Sequence, residues 1–138
     1  MSLDTASDTA SVGTAIAALP LIVRSVERTG LRSESLDFQP ITSDGRTGVT
    51  IHRLYSTEQT GEHGPAAGIV RYAPGAAAVP HQHEGYEIIY VFEGQLETGD
   101  VAHPAGSLLV MEPGSVHAPR SEHGAVLLVV WEQPVSTL

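Results

Sequence analysis

Residues 75–94, GAAAVPHQHEGYEIIYVFEG, place two histidines and a glutamate at matched positions: His81, His83 and Glu87. Side chains alternate faces along a β-strand, so His81 and His83 point the same way, and Glu87 has the same parity. One turn at Gly85 would bring its carboxylate back towards both imidazoles, while Ile89 and Val91 continue that face as an apolar wall. A second segment, GSLLVMEPGSVHAP (residues 106–119), delivers His117 just after the tight turn at Pro113 and Gly114. Imidazole nitrogens and a carboxylate converging from separate strands suit one borderline divalent metal ion. Neutral imidazoles and one carboxylate around a 2+ ion leave a net charge of about +1, which favours an anionic or enolisable oxygen ligand at any open position. No separate nucleophile or acid–base pair is visible, so any chemistry must centre on the metal.

The elements that must position these residues read as strands. From residue 20 onward, glycine and proline recur between short runs of branched and aromatic residues: Val49–Tyr55, Ala67–Tyr72, Tyr86–Phe92, Ser107–Met111 and Ala125–Trp131. Turn signals separate them, among them Ser43-Asp44-Gly45, Ala73-Pro74-Gly75, Glu93-Gly94, Thr98-Gly99-Asp100 and Glu112-Pro113-Gly114. Many short strands without a strong helical stripe predict an all-β sandwich or barrel. The run Ala125–Trp131 (AVLLVVW) is apolar on both faces. It suits a strand covered on both sides, or one whose outer face meets a second subunit, and a homodimer is expected.

The chain has 138 residues, enough for one domain with a proper core. Residues 1–18, rich in Ser, Thr, Ala and Asp, read as a disordered or weakly helical tail, and 19–138 as a single domain. Sixteen acidic residues against seven arginines and no lysine give a net charge of −9. Phosphate backbones and anionic membranes would repel such a chain, so neither nucleic acid nor membrane is an expected partner. No stretch is long enough to span a bilayer, and the apolar patch Val12 to Val23 lacks a basic region before it. A cytoplasmic location is the expectation. With no cysteine, disulfides, thiolate zinc sites and a cysteine nucleophile are all excluded.

The two segments resemble the two cupin motifs. The first, G75-x5-H81-x-H83-x3-E87-x6-G94, matches at every defined position; the second, G106-x5-E112-x-G114-x2-H117, departs where Glu112 replaces the usual proline and Ser121 an asparagine. The resemblance implies a double-stranded β-helix (jelly-roll) cupin barrel in which His81, His83, Glu87 and His117 hold one metal ion inside, with Fe, Mn, Zn or Ni as candidates. The phrases RYAPGA, HQHEGYE, YVFEG and PAGSLLVMEPGSVHAP are similar to the cupin domain of ChrR-type zinc anti-sigma factors and their stand-alone relatives. Those factors also carry a helical amino-terminal domain with a His and Cys zinc motif. That part has no counterpart expected here, so only the metal-binding module is carried over.

Two functions are weighed. One is a metal-dependent enzyme, dioxygenase-like or isomerase-like, acting on a small molecule; the other is a metal- or ligand-sensing module without turnover. A metal-free sugar-binding or epimerase-type cupin is disfavoured by the intact ligand set. Beyond the four site residues, Glu84 is expected to face solvent and His63 to lie exposed in GEHGP. His103 and His123 are placed near the barrel mouth or in hairpins, His52 in packing, and Arg71 and Arg120 are candidate anchors for an anionic substrate. Tyr86, Tyr90, Phe92 and Trp131 are assigned to barrel or interface.

Overall fold

The computed structural model describes residues 20–24 and 36–138. The chain divides into two units, 1–37 and 38–138. The expected tail over residues 1–18 lies outside the described residues. The strands of the second unit are β1 (Gln39–Pro40), β2 (Thr47–Tyr55), β3 (Ala66–Ala77), β4 (His81–Gln82), β5 (Glu87–Thr98) and β6 (Val101–Pro104). They continue with β7 (Leu108–Met111), β8 (Val116–His117), β9 (Arg120–Ser121), β10 (Ala125–Trp131) and β11 (Ser136–Thr137). One helical turn, α1 (Thr57–Thr60), follows β2 and is closed by a reciprocal cap between Ser56 and Gln59.

An eight-stranded sheet runs β1-β2-β3-β10-β5-β6, with β7 added to β5 and β9 joined to both β3 and β5. A three-stranded sheet runs β11-β4-β8. This is the all-β jelly-roll barrel expected from the sequence.

Two turn signals proved to be bends inside long strands. Ala73-Pro74-Gly75 lies within β3, where the pairing with β2 slips between Val49↔Tyr72 and Thr47↔Ala77. Beyond the bend, Ala76 and Ala77 pair with β9 instead of β10. Glu93-Gly94 likewise lies within β5, at the point where its partner changes from β10 to β6. Proline and glycine here break the ladder locally and turn the strand onto a second sheet, as bulges do at barrel corners.

Alternation buries one face. Val91 and Leu96 of β5, Leu127 and Val129 of β10, and Val70 of β3 meet in the core. Each such side chain contributes about 1.5–3 kcal/mol by leaving water. His81 and His117, in the smaller sheet, border this apolar interior, and His83 directly follows β4.

Candidate metal centre

His81 and His117 are directly opposite in the antiparallel register of β4 and β8. Cross-strand partners share a face, so their rings project together and their Nε2 atoms lie 3.0 Å apart. His83 follows two residues after His81, its backbone N–H donating to the Ser115 carbonyl at 2.9 Å. Ligand atoms of His81, His83 and His117 all lie within 4.8 Å of one another, a group that can hold a metal ion. The chain then turns at Gly85 and enters β5 at Glu87, whose Oε1 is 3.2 Å from His83 Nε2. Glu87 stands outside the three-histidine cluster and reaches it through His83. His81, His83 and Glu87 are buried, and His117 is partly buried.

Hydrogen bonds set which ring nitrogens face inward. His83 Nδ1 lies 3.0 Å from both the carbonyl and hydroxyl oxygens of Ser115. The Ser115 hydroxyl donates its proton to the Glu112 carbonyl at 2.6 Å, so both Ser115 oxygens act as acceptors. Nδ1 therefore carries the proton in the neutral ring, leaving the Nε2 lone pair towards Glu87. His81 Nδ1 donates to the Val79 carbonyl at 3.2 Å, with the same consequence for its Nε2.

The residues present fit a metal ion. His83 Nε2 and Glu87 Oε1 are close but not aligned as donor and acceptor, and each is buried without a hydrogen bond. With the Nε2 lone pair directed at Glu87, either a proton or a metal ion between the two atoms relieves their repulsion. The two contacts, 3.0 Å between the Nε2 atoms of His81 and His117 and 3.2 Å between His83 Nε2 and Glu87 Oε1, are short enough for one ion to touch both members of each.

Burial lowers the pKa of His81, and lowers that of His117 to about 3 with help from the neighbouring His81 and His83 charges. Burial also acts to lower His83, but interaction with the Glu87 carboxylate outweighs it and the pKa is raised. Neutral imidazoles are the form that binds a metal.

A cavity of about 20 Å³ adjoins the cluster, walled by Val70, Ile89, Leu96, Leu127 and Val129 and touched by His81, Glu87 and His117. That is room for one water-sized group. Ile41, Arg46, Tyr72, Pro119 and Trp131 complete the wall. Burial raises the Tyr72 pKa to about 12, although the charge and hydrogen bond of Arg46 pull the other way, so the phenol stays neutral.

The other sequence candidates separate from the site. Arg71 stacks over Phe38, 4.1 Å from the ring centroid, and Arg120 donates to the Gly99 carbonyl; neither lines the histidine cavity. The expectation that they anchor a substrate there is therefore corrected: Arg71 alternates out of the core face, and Arg120 is held by the β5–β6 turn. His103 bonds Thr98 across that hairpin, His63 and His123 are exposed, and His52 lies 6.3 Å from Phe38 between ring centroids. Exposed Glu84 receives a hydrogen bond from Ser136. Sequence reasoning placed Trp131 only in barrel or interface, and missed Arg46, Tyr72 and Ser115. Ser115, beside Gly114 in the second segment, carried a local signal; Arg46 carried none.

A profile of the ChrR cupin-like domain matches residues 26–136. Among curated proteins, none matches the chain. Solved structures share its architecture. An acetylacetone dioxygenase from Acinetobacter johnsonii is 15% identical, with a TM-score of 0.68 over 87% of this chain and 83% of that one. The polyketide cyclase RemF from Streptomyces resistomycificus is 21% identical, with a TM-score of 0.63 over 85% and 86%. A predicted oxalate decarboxylase from Thermotoga maritima is 23% identical, with a TM-score of 0.60 over 78% and 97%. At these identities the likeness concerns the fold.

Proposed function

This chain belongs to the ChrR cupin-like domain family, and we propose that it is a metal-dependent enzyme acting on a small molecule. His81, His83, His117 and Glu87 hold one divalent ion, with Fe, Mn, Zn or Ni compatible with the donor set. The observation that carries the reading is the buried contact of His83 Nε2 with Glu87 Oε1 beside the three converging imidazoles. When bound, the ion supplies Lewis acidity, and with iron also redox chemistry, of the kind used in oxygenase-like or isomerase-like reactions.

The chain's own residues prepare that chemistry. Val79 and Ser115 hold the His81 and His83 rings with Nε2 inward. Glu87 supplies the single carboxylate, leaving about one net positive charge on a 2+ centre. Ile89, Leu96, Leu127 and Val129 give the chamber an apolar wall, and the neutral Tyr72 phenol and Arg46 line it beside His81, Glu87 and His117.

The named activities of the structural neighbours supply the starting panel: a β-diketone and oxalate, with a thiol added. Turnover by the metal-loaded protein, lost in His83→Ala, supports the enzyme reading. Full metal loading without turnover of any compound favours a second reading, a metal- or ligand-sensing module, which the ChrR family match supports.

We further propose a homodimer. The outer face of the sheet places Val110, Ile88 and Val130 in one row and Leu108, Tyr90 and Leu128 in the next. Ile88, Leu108 and Val110 are 40%, 62% and 57% exposed, a contiguous apolar surface of the type that pairs with a copy of itself.

A further inference from the structure

We infer that Glu132 is a positioning residue for the metal centre: it grips the turn between His83 and Glu87 and so sets how closely the Glu87 carboxylate approaches the histidines. The inference rests on the metal reading above and extends it to a residue outside both sequence motifs.

His83 and Glu87 are four residues apart, but the strands that carry them lie in different sheets. His83 directly follows β4 of the three-stranded sheet, and Glu87 opens β5 of the eight-stranded one. The 3.2 Å contact between His83 Nε2 and Glu87 Oε1 therefore depends on residues 84–86, which belong to neither sheet. A metal ligand must be held to within about 0.5 Å of its working position, so this short crossing has to be fixed from outside.

Glu132 fixes it. Trp131, the last residue of β10, is the cross-strand partner of Glu87. One residue on, the Glu132 backbone N–H donates to the Tyr86 carbonyl at 2.9 Å, and Glu132 Oε1 accepts the Tyr86 N–H at 2.9 Å. Both backbone groups of the residue just before Glu87 are thus held by Glu132, its carboxylate taking the acceptor place that a strand carbonyl would fill. The side chain also lies against Gly85, where a Cβ would come 2.8 Å from Glu132 Oε1 and 3.1 Å from Glu132 Cβ. Gly85 is buried and does not have a positive φ, so the closeness of Glu132, not backbone conformation, requires glycine there.

The same segment continues along β4. Ser136 pairs with Gln82 and Thr137 with His81, and the Ser136 hydroxyl donates to the Glu84 carboxylate. The other neighbour of β4 is β8, which carries His117. Residues 132–137 therefore brace the path from His81 to Glu87 on one side, with Glu132 at the crossing between the sheets.

The test uses the full-length protein as wild type, Glu132→Gln and Glu132→Ala. Zinc affinity is measured by competition with a chromophoric chelator, and the d–d absorption of the cobalt-loaded protein reports the coordination geometry. Glu132→Ala should bind zinc about 10-fold more weakly and show an altered cobalt spectrum. Glu132→Gln keeps an acceptor for the Tyr86 N–H and should restore both readouts towards wild type. Gly99→Ala, strained in the β5–β6 turn, serves as the control for lost stability alone and should change neither. Wild-type zinc affinity and cobalt spectrum in Glu132→Ala overturn the inference and leave the metal reading intact. A Glu132→Gln as weak as Glu132→Ala also overturns it, because the charge and not the hydrogen bond would then matter. Should Glu132→Ala fail to fold, Glu132→Asp, which shortens the reach, takes its place with the same expectation. A wild type that retains no zinc overturns the metal reading and this inference with it.

Discussion

His83 Nδ1 is held 3.0 Å from both oxygens of Ser115, a residue 32 positions away within the second motif. Because the Ser115 hydroxyl is already committed as a donor to Glu112, the pair fixes one tautomer of the ring and aims the Nε2 lone pair at Glu87. Ser115→Ala retains the carbonyl acceptor but loses the hydroxyl. Zinc affinity, measured by competition with a chromophoric chelator, should fall about 10-fold, the low end for loss of an outer partner of a ligand. Unchanged affinity would mean that the hydroxyl does not orient the ring.

Gly94 bends β5 with a φ of +76°, and a Cβ there would overlap the Gly124 carbonyl oxygen and come within 2.9 Å of Ala125 Cα. Gly99, with a φ of +60°, has nothing within 4 Å. Gly99→Ala should therefore cost only the conformational strain, about 1–2 kcal/mol. Gly94→Ala adds backbone collision and should cost at least about 4 kcal/mol. Denaturant unfolding of the two variants checks the difference, and equal losses would contradict the assigned corner.

Tyr72 gives a pH dependence. Its pKa rises from 10.0 to about 12, chiefly through burial, so folding favours the neutral phenol. That contribution is complete below pH 10.0 and is lost as pH rises through about 12. Ultraviolet titration should show one tyrosinate step near pH 12 that Tyr72→Phe removes, and Tyr72→Phe should lose less stability across that window. Loss of a step near pH 10.0, rather than near pH 12, in Tyr72→Phe would contradict the burial of this hydroxyl.

The exposed rows on β5, β7 and β10 predict a dimer by light scattering. Val110→Glu and Leu108→Glu place a charge in the middle of the apolar face and should shift the protein to monomer with little change in thermal stability. A monomeric wild type at the same concentration would contradict the proposed face.

The fold and the histidine cluster were legible because their signals are local. Strand alternation put His81, His83 and Glu87 on one side, and the Gly114 turn introduced His117. Only the topology shows that His81 and His117 are cross-strand partners, since their pairing spans 36 residues. The bends at Pro74 and Gly94 looked like turns because proline and glycine interrupt a ladder in either setting, and the partner exchange that distinguishes them is a tertiary event. Arg46 was not legible. It follows a short 3-10 turn before β2, and its place in the lining of the histidine cavity follows from how the sheets close. Arg71 and Arg120 appeared better placed because they are nearer the motifs in sequence, yet the fold turns both away from the cluster.

The central claim is that His81, His83, His117 and Glu87 hold one metal ion. It is tested most directly by elemental analysis of wild type and His83→Ala after equilibration with zinc and gel filtration. About one ion per chain in the wild type, and almost none in a folded His83→Ala, is the predicted result. Equal metal content in the two proteins, or none in either, would contradict it.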